Sequence, residues 1–231
     1  MRLLGGVAVA VRCPSATERD FLMRGYSDLD FVGHERQSKA IKDFFLEQGY
    51  KPRLRFNAMM GGTRLIFNDL VNQRRVDVFL DVFEMSHKLN FLERLELEPL
   101  TLPLADLVAT KLQVVQIDEK DYKDLIALFL DHDVGHAGGE MIDGRHLAML
   151  CSSDWGLNRT LTINLSKLSE AVGDYRLNAS ERELITSRIR DLVDMMEKQP
   201  KSVAWKLRAR VGEKKRWYEL PEADKRVVVD D

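Results

Sequence analysis

The fold class this sequence predicts is mixed α/β (α+β): a head built on a small mixed sheet, followed by a helical region. Three observations carry that expectation. From Arg75 to Phe83 apolar and polar residues alternate, with Val76, Val78, Leu80 and Val82 on one face and Asp77, Phe79 and Asp81 on the other. Tyr26 to Val32 reads as a second, buried strand. After Pro99 the period lengthens, and Leu104, Leu107, Val108, Lys111, Leu112 and Val115 form one stripe at helical spacing. The expected division is residues 1–98 for the α/β core and 99–231 for the helical region.

Taken in order, Leu3 to Val11 begins as a short apolar strand, turns at Gly5-Gly6 and enters a helix that Pro14 stops. Cys13 to Arg24 is expected to be an irregular, charged insertion. Gln37 to Gln48 is amphipathic, with Ala40, Ile41, Phe44 and Phe45 at helical spacing and Gly49 as the stop. Arg53 to Phe67 is expected to hold two strands around a hairpin at Gly61-Gly62. Pro103 suits a first helical turn, so a helix is expected from Ala105 to Ile117 and another from Glu119 to His132. A glycine loop at 135–139 follows, then helices over His146–Cys151, Asn158–Val172 and Ser180–Lys198, the last opened by a Ser180/Glu183 capping box.

Composition excludes several classes. With 231 residues, 45% of them hydrophobic, the chain can bury a substantial core. A formal net charge of −2 argues against a general nucleic-acid coat protein but permits a local basic face. Cys13 and Cys151 form no CxxC pair and read as reduced, buried thiols. No apolar run approaches the roughly 20 residues that span a bilayer. The opening MRLLGGVAVAV lacks the layout of a signal peptide, so a cytoplasmic location with no membrane partner is expected.

The chemistry-bearing residues concentrate in the head. Asp28 and Asp30 sit two apart on an apolar strand and so share one face. Two such carboxylates repel unless a positive charge lies between them, and a divalent metal carrying a nucleoside triphosphate is the natural candidate. Asp77, on the later strand, is a third acid; Asp81 is read instead as a solvent-facing or edge residue. Gly5-Gly6 offers backbone amides at a helix start, where phosphates bind, or else serves only as a tight turn. Lys111 interrupts the apolar stripe of its helix. Either a triphosphate or an acid partners it there, or its stem covers apolar surface while the ammonium reaches out. His132 and His136 have metal-like spacing but no evident third ligand. Between Lys201 and Leu220 seven Lys/Arg against two Glu alternate with Trp205, Trp217 and Tyr218, a pattern compatible with RNA contacts or with an inward-packed aromatic face.

These residues resemble the nucleotidyltransferase superfamily that includes DNA polymerase β. That family joins a glycine-glycine or glycine-serine turn, an acid-hydrophobic-acid strand and a third acid on a later strand. The matching residues are Gly5-Gly6, Asp28/Asp30 and Asp77. The chain is most similar to stand-alone nucleotidyltransferases of the AbiEii-like toxin type, through ADLVATKLQVVQIDEKDYKDLIAL with Lys111, Asp121 and Asp124. The resemblance covers roughly residues 3–130. It implies a polymerase-β-like head whose cleft is completed by residues 99–132, and transfer of a nucleoside monophosphate from a nucleoside triphosphate to an acceptor hydroxyl. Asp28, Asp30 and Asp77 would hold Mg2+ (or Mn2+) and act in catalysis. Gly5, Gly6, Arg24, Ser27, Lys111, Asp121 and Asp124 would hold the nucleotide. The implied acceptor is RNA, such as a transfer-RNA end, and the implied partner an antitoxin protein. A protein or small-molecule acceptor, and a nucleotide-binding protein without turnover, are the alternatives. Because Gly6 and Asp28 stand further apart than is usual in the family, Cys13 to Arg24 is expected to loop out; the chain also opens directly on the glycine strand, where relatives have a preceding helix.

Overall fold

The structure, a computed structural model, describes residues 1–137 and 139–219. It is mixed α/β, with ten α-helices and three small sheets among those residues. The main sheet has five strands: β1 (Arg2–Leu4), β2 (Asp28–Gly33), β3 (Lys51–Pro52), β4 (Arg64–Asp69) and β5 (Arg74–Leu80). Their order is β1-β2-β5-β4-β3, and only the β2–β5 pair is parallel. Between these strands lie α1 (Gly5–Arg12), α2 (Ser15–Glu18), α3 (Ser38–Glu47) and α4 (Leu54–Met60). A hairpin of β6 (Val82–Glu84) and β7 (Lys88–Asn90) leads to α5 (Leu104–Leu112) and α6 (Glu119–Asp131). The rest is β8 (Val134–Gly135), β9 (Ile142–Asp143), α7 (Gly144–Ser153), α8 (Trp155–Ala171), α9 (Ala179–Lys198) and α10 (Val203–Val211).

The two faces of the sheet have different partners. Val76, Val78, Leu80, Leu65 and Phe67 point to α3 and bury Ile41 and Phe45, with Phe45 stacked on Phe67 at 4.7 Å between ring centres. Val32 and Phe79 face the other way, into the main core, which runs from Leu4 and Ala8 through α5 and α6 to Ile185 and Met196. Because α1, α5 and α6 cover only part of this second face, its open end is left to polar residues. β1 is tied to the helical region by hydrogen bonds from Leu3 N to Leu100 O and from Leu102 N to Leu3 O, both 2.9 Å.

Five sequence expectations are corrected. Residues 54–60 are helix, not strand. The stretch from Arg53 to Gly62 has no β-branched residue and is rich in Leu, Arg, Ala and Met, which favour helix. The Asn57 amide then bonds both Ile66 N and Ile66 O, doing for β4 what a neighbouring strand would do. The hairpin therefore lies between β4 and β5, at residues 70–73, where the Asp69 carboxylate accepts from Val71 N and Asn72 N. The alternation of Arg75 to Phe83 is broken at Asp81, whose φ of 57° ends β5, so Val82 starts a separate sheet. The helix expected to reach Ile117 stops at Leu112. Asn164 Nδ2 caps the freed carbonyls of Leu112 and Val114, at 2.8 and 2.7 Å, and β-branched Val114-Val115 need not enter the helix. The capping box belongs to Asn178 and Glu181, two residues earlier than Ser180 and Glu183.

The fifth correction concerns Cys13 to Arg24, which folds back instead of looping out. Cys13, Ala16 and Leu22 are buried in the main core, and Ser15 N donates to Asp131 of α6 at 2.9 Å. Cys13 and Cys151 are buried free thiols. Among the described residues no helix is long and apolar enough to cross a membrane. Gly138 and the tail from Leu220, including Val227–Asp231, lie outside the described residues.

Candidate functional site

Parallel register is what assembles the acids. β2 and β5 pair with Asp30 directly opposite Asp77 and Asp28 opposite Arg75, so all four side chains share the face that α3 does not cover. β1 brings Leu4 opposite Asp30, which sets the start of α1 beside that carboxylate. Gly5 has φ +69°, and a Cβ there would lie 2.3 Å from Asp30 Oδ2. A Cβ on Gly6 would lie 1.7 Å from an Arg24 guanidinium nitrogen. The glycine pair thus lets an acid and a cation approach the backbone from two sides.

Four of the sequence-derived cations and acids form a second cluster across the cleft. Asp124, buried on α6, accepts from Arg24 Nε at 3.0 Å and Arg24 Nη2 at 2.7 Å. Its Oδ2 also lies 2.7 Å from Lys111 Nζ, which bonds Asp121 Oδ1 at 3.0 Å. The partner demanded by a lysine in an apolar stripe is therefore the α6 acid pair. Burial pulls the Lys111 pKa down, but Asp124 and Asp121 outweigh it and hold the ammonium charged. The same competition, won by Asp124, holds Arg24 above its usual value. Asp124 stands behind the two cations; Asp121 reaches the cleft wall.

A cleft of about 150 Å³ is lined by Gly6, Arg24, Ser27, Asp28, Asp30, Lys111 and Asp121, together with Tyr26, Asp118 and Lys120. Most of the residues singled out in the sequence thus share one concavity. Gly5 and Asp77 lie beside Asp30 rather than on the lining. Ser27 Oγ donates to Asp28 Oδ2 at 3.4 Å. Burial, then the charges of Asp77 and Asp28, push the Asp30 pKa up to about 6. Asp81 sits at the other end of β5, against His34 Nδ1 at 3.1 Å.

Asp77 has a feature the sequence did not reveal. It is 1% exposed, with Arg64 Nε 2.8 Å from Oδ1 and Arg75 Nε 2.9 Å from Oδ2. Arg75 Nε also approaches Asp28 Oδ1 at 3.7 Å. Among the described residues no group of three His, Cys, Asp or Glu side chains is arranged to hold a metal ion. Asp28 and Asp30 fit a divalent cation, since two close acids on one strand want charge between them; Asp77 has its own counter-charges already. Arg75, two residues before Asp77 in a strand, was legible as a same-face neighbour; Arg64 comes from β4 and was not. Tyr26, under the Arg24 guanidinium at 4.7 Å, and Lys120, in the first turn of α6, were also missed.

His132 is turned onto the carbonyls of Glu140 and Arg12, both at 3.0 Å. The aromatic residues of the basic segment are half-buried. Trp217 meets Trp155 edge-on at 6.0 Å and donates from Nε1 to Thr160 Oγ1 at 3.1 Å, while Arg208 covers Trp155. Lys206, Arg210, Lys214, Lys215 and Arg216 stay exposed. No protein-family model, curated protein or solved structure matches the chain.

Proposed function

We propose that this chain is a polymerase-β-like nucleotidyltransferase that uses Mg2+ or Mn2+ to move a nucleoside monophosphate from a nucleoside triphosphate to an acceptor hydroxyl. The observation that carries the reading is the register of β2 on β5, which sets Asp28, Asp30 and Asp77 on one face next to Gly5-Gly6 and opposite Arg24 and Lys111. Asp28 and Asp30 are the residues that would hold the divalent ion. When bound, that ion neutralises the triphosphate and lowers the cost of charge on the attacking oxygen. The amides of Gly5 and Gly6 and the Ser27 hydroxyl receive the terminal phosphates, at a helix start whose dipole favours anions. Lys111 and Arg24, held in place by Asp124 and Asp121, face the same charge. The acceptor oxygen forms a bond to the α-phosphorus as the bond to the bridging oxygen breaks; pyrophosphate leaves with the electron pair. The hydroxyl proton passes to an acid of the set; for Asp77 to take it, both Arg64 and Arg75 must release its oxygens.

RNA is the favoured acceptor, because five basic side chains of the 206–216 segment are exposed beside half-buried tryptophans. An antitoxin partner stays with the family resemblance alone. A second reading, nucleotide binding without turnover, is favoured by the two arginines that already neutralise Asp77. Labelled nucleotide with Mg2+, offered separately to RNA, protein and small-molecule pools, separates these readings. Label should enter one pool, and Asp28→Ala or Asp30→Ala should reduce it at least about 100-fold while circular dichroism stays unchanged. Binding without transfer to any pool selects the second reading, and undiminished transfer by Asp30→Ala defeats the first.

A further inference from the structure

α10, the last α-helix among the described residues, presents an outer face in two parts. Ser202 seats the helix: its N donates to Ser152 O at 3.0 Å and its Oγ accepts from Trp205 N at 3.1 Å. Trp205, Arg208 and Ala209 are half-buried and turn toward the body, with the Arg208 guanidinium 4.6 Å over the Trp155 ring. The other side holds Val203, Leu207 and Val211, which are 74%, 56% and 42% exposed. Spaced by four, they form one apolar ridge about 12 Å long at the helical rise. Lys206 and Arg210 each precede a ridge residue by one, so a cationic row runs along one flank of the ridge. Both are exposed, and neither meets an acid among the described residues. From Val203 to Arg216 six Lys/Arg stand against one acid, Glu213, and Arg159 of α8 already holds that acid at 2.6 Å.

We infer that this face of α10 docks a second protein through an acidic amphipathic helix. A ridge at four-residue spacing fits the groove between the ridges of another helix, and a carboxylate row beside that groove meets Lys206 and Arg210. Burial of Val203, Leu207 and Val211 supplies affinity, and the charges set the choice of partner and its register. An RNA strand would satisfy the cations but leave the ridge in water. A second copy of this chain would bring like charge to like along the seam. Lys214, Lys215 and Arg216 lie beyond α10 and stay outside this contact. The inference is independent of nucleotidyl transfer and survives the failure of that reading.

The test is fluorescence anisotropy of three labelled helical peptides against the full chain. The first has leucines spaced by four with glutamates along one flank. The second carries lysines in place of the glutamates, and the third serines in place of the leucines. The first should bind at least about tenfold tighter than either control. Leu207→Ser and Arg210→Glu, both at exposed positions, should each weaken that binding at least about tenfold while circular dichroism stays unchanged. No binding of the first peptide, binding equal to either control, or indifference to Leu207→Ser overturns the inference. Three other outcomes overturn it by naming a different occupant. Oligouridine that binds tighter than the first peptide, and responds to Arg210→Glu but not to Leu207→Ser, gives the face to nucleic acid. Phosphatidylserine vesicles that bind tighter than the peptide and respond to both variants give it to a membrane surface. A concentration-dependent dimer that Leu207→Ser dissolves, seen by sedimentation, gives it to a second copy.

Discussion

Two groups of aspartates face each other across the cleft, and they are balanced in opposite ways. Asp121 and Asp124 on α6 are saturated: Lys111 and Arg24 lie within 2.7 to 3.0 Å of their oxygens. Asp28 and Asp30 on β2 are not, and Asp30 is left with a pKa of about 6 under burial and the charges of Asp77 and Asp28. The first group holds structure, since a buried ion is tolerable only when paired. The second stores repulsion at the protein's surface, which is what a bound cation would relieve.

The largest expected effect breaks the saturated side. Asp124→Ala strands Arg24 and Lys111 with less counter-charge, and removing one member of a buried pair costs about 3–5 kcal/mol. Urea denaturation should show the extrapolated stability falling by that amount, with a lower midpoint and an unchanged slope. An unchanged midpoint would mean the α6 acids are not structural.

An intermediate effect, of opposite sign, comes from the unsaturated side. In the unfolded chain Asp30 titrates near 3.9, whereas in the fold its pKa is about 6. Between those values the folded state binds the proton more strongly, so its contribution is favourable at low pH and is lost as pH rises through about 6. Asp30→Asn escapes that loss. Without divalent metal it should therefore melt with the wild type at about pH 3, below the unfolded pKa, and be more stable by about 1–3 kcal/mol at pH 8. Equal stability at both values would remove the repulsion from the argument.

The smallest effect calibrates both. Arg176 and Asp20 pair at 2.7 Å with side chains 70% and 71% exposed. Arg176→Ala should move stability by less than about 1 kcal/mol, because solvent and salt screen such a pair. A larger change would show that distance rather than burial sets the worth of an ion pair here.

Much of this contrast was legible before any coordinates. Period two set Asp28 with Asp30 and Asp77 with Phe79, and period 3.6 put Lys111 among leucines, so the need for a partner was visible. The partner itself was not, because Asp124 is joined to Lys111 by the packing of α6 on α5. The segment 54–60 was misread because glycines beyond it mimic a hairpin signal, and its helix is secured by Asn57 bonding to a strand not yet in view. Cys13 to Arg24 was misread because its three buried apolar residues are too sparse to announce a core. Yet that segment delivers Arg24 to the site.

By itself the sequence determined which residues share a face of each element and which of them would be uncomfortable there. Local periodicity and backbone preference suffice for that, since both act within a few residues. The tertiary structure decided which strand pairs with which, that Asp30 stands opposite Asp77, and that Arg64 and Arg75 reach the third acid while Lys111 is satisfied by α6. Those outcomes depend on contacts between distant segments, where charge and burial are balanced in three dimensions.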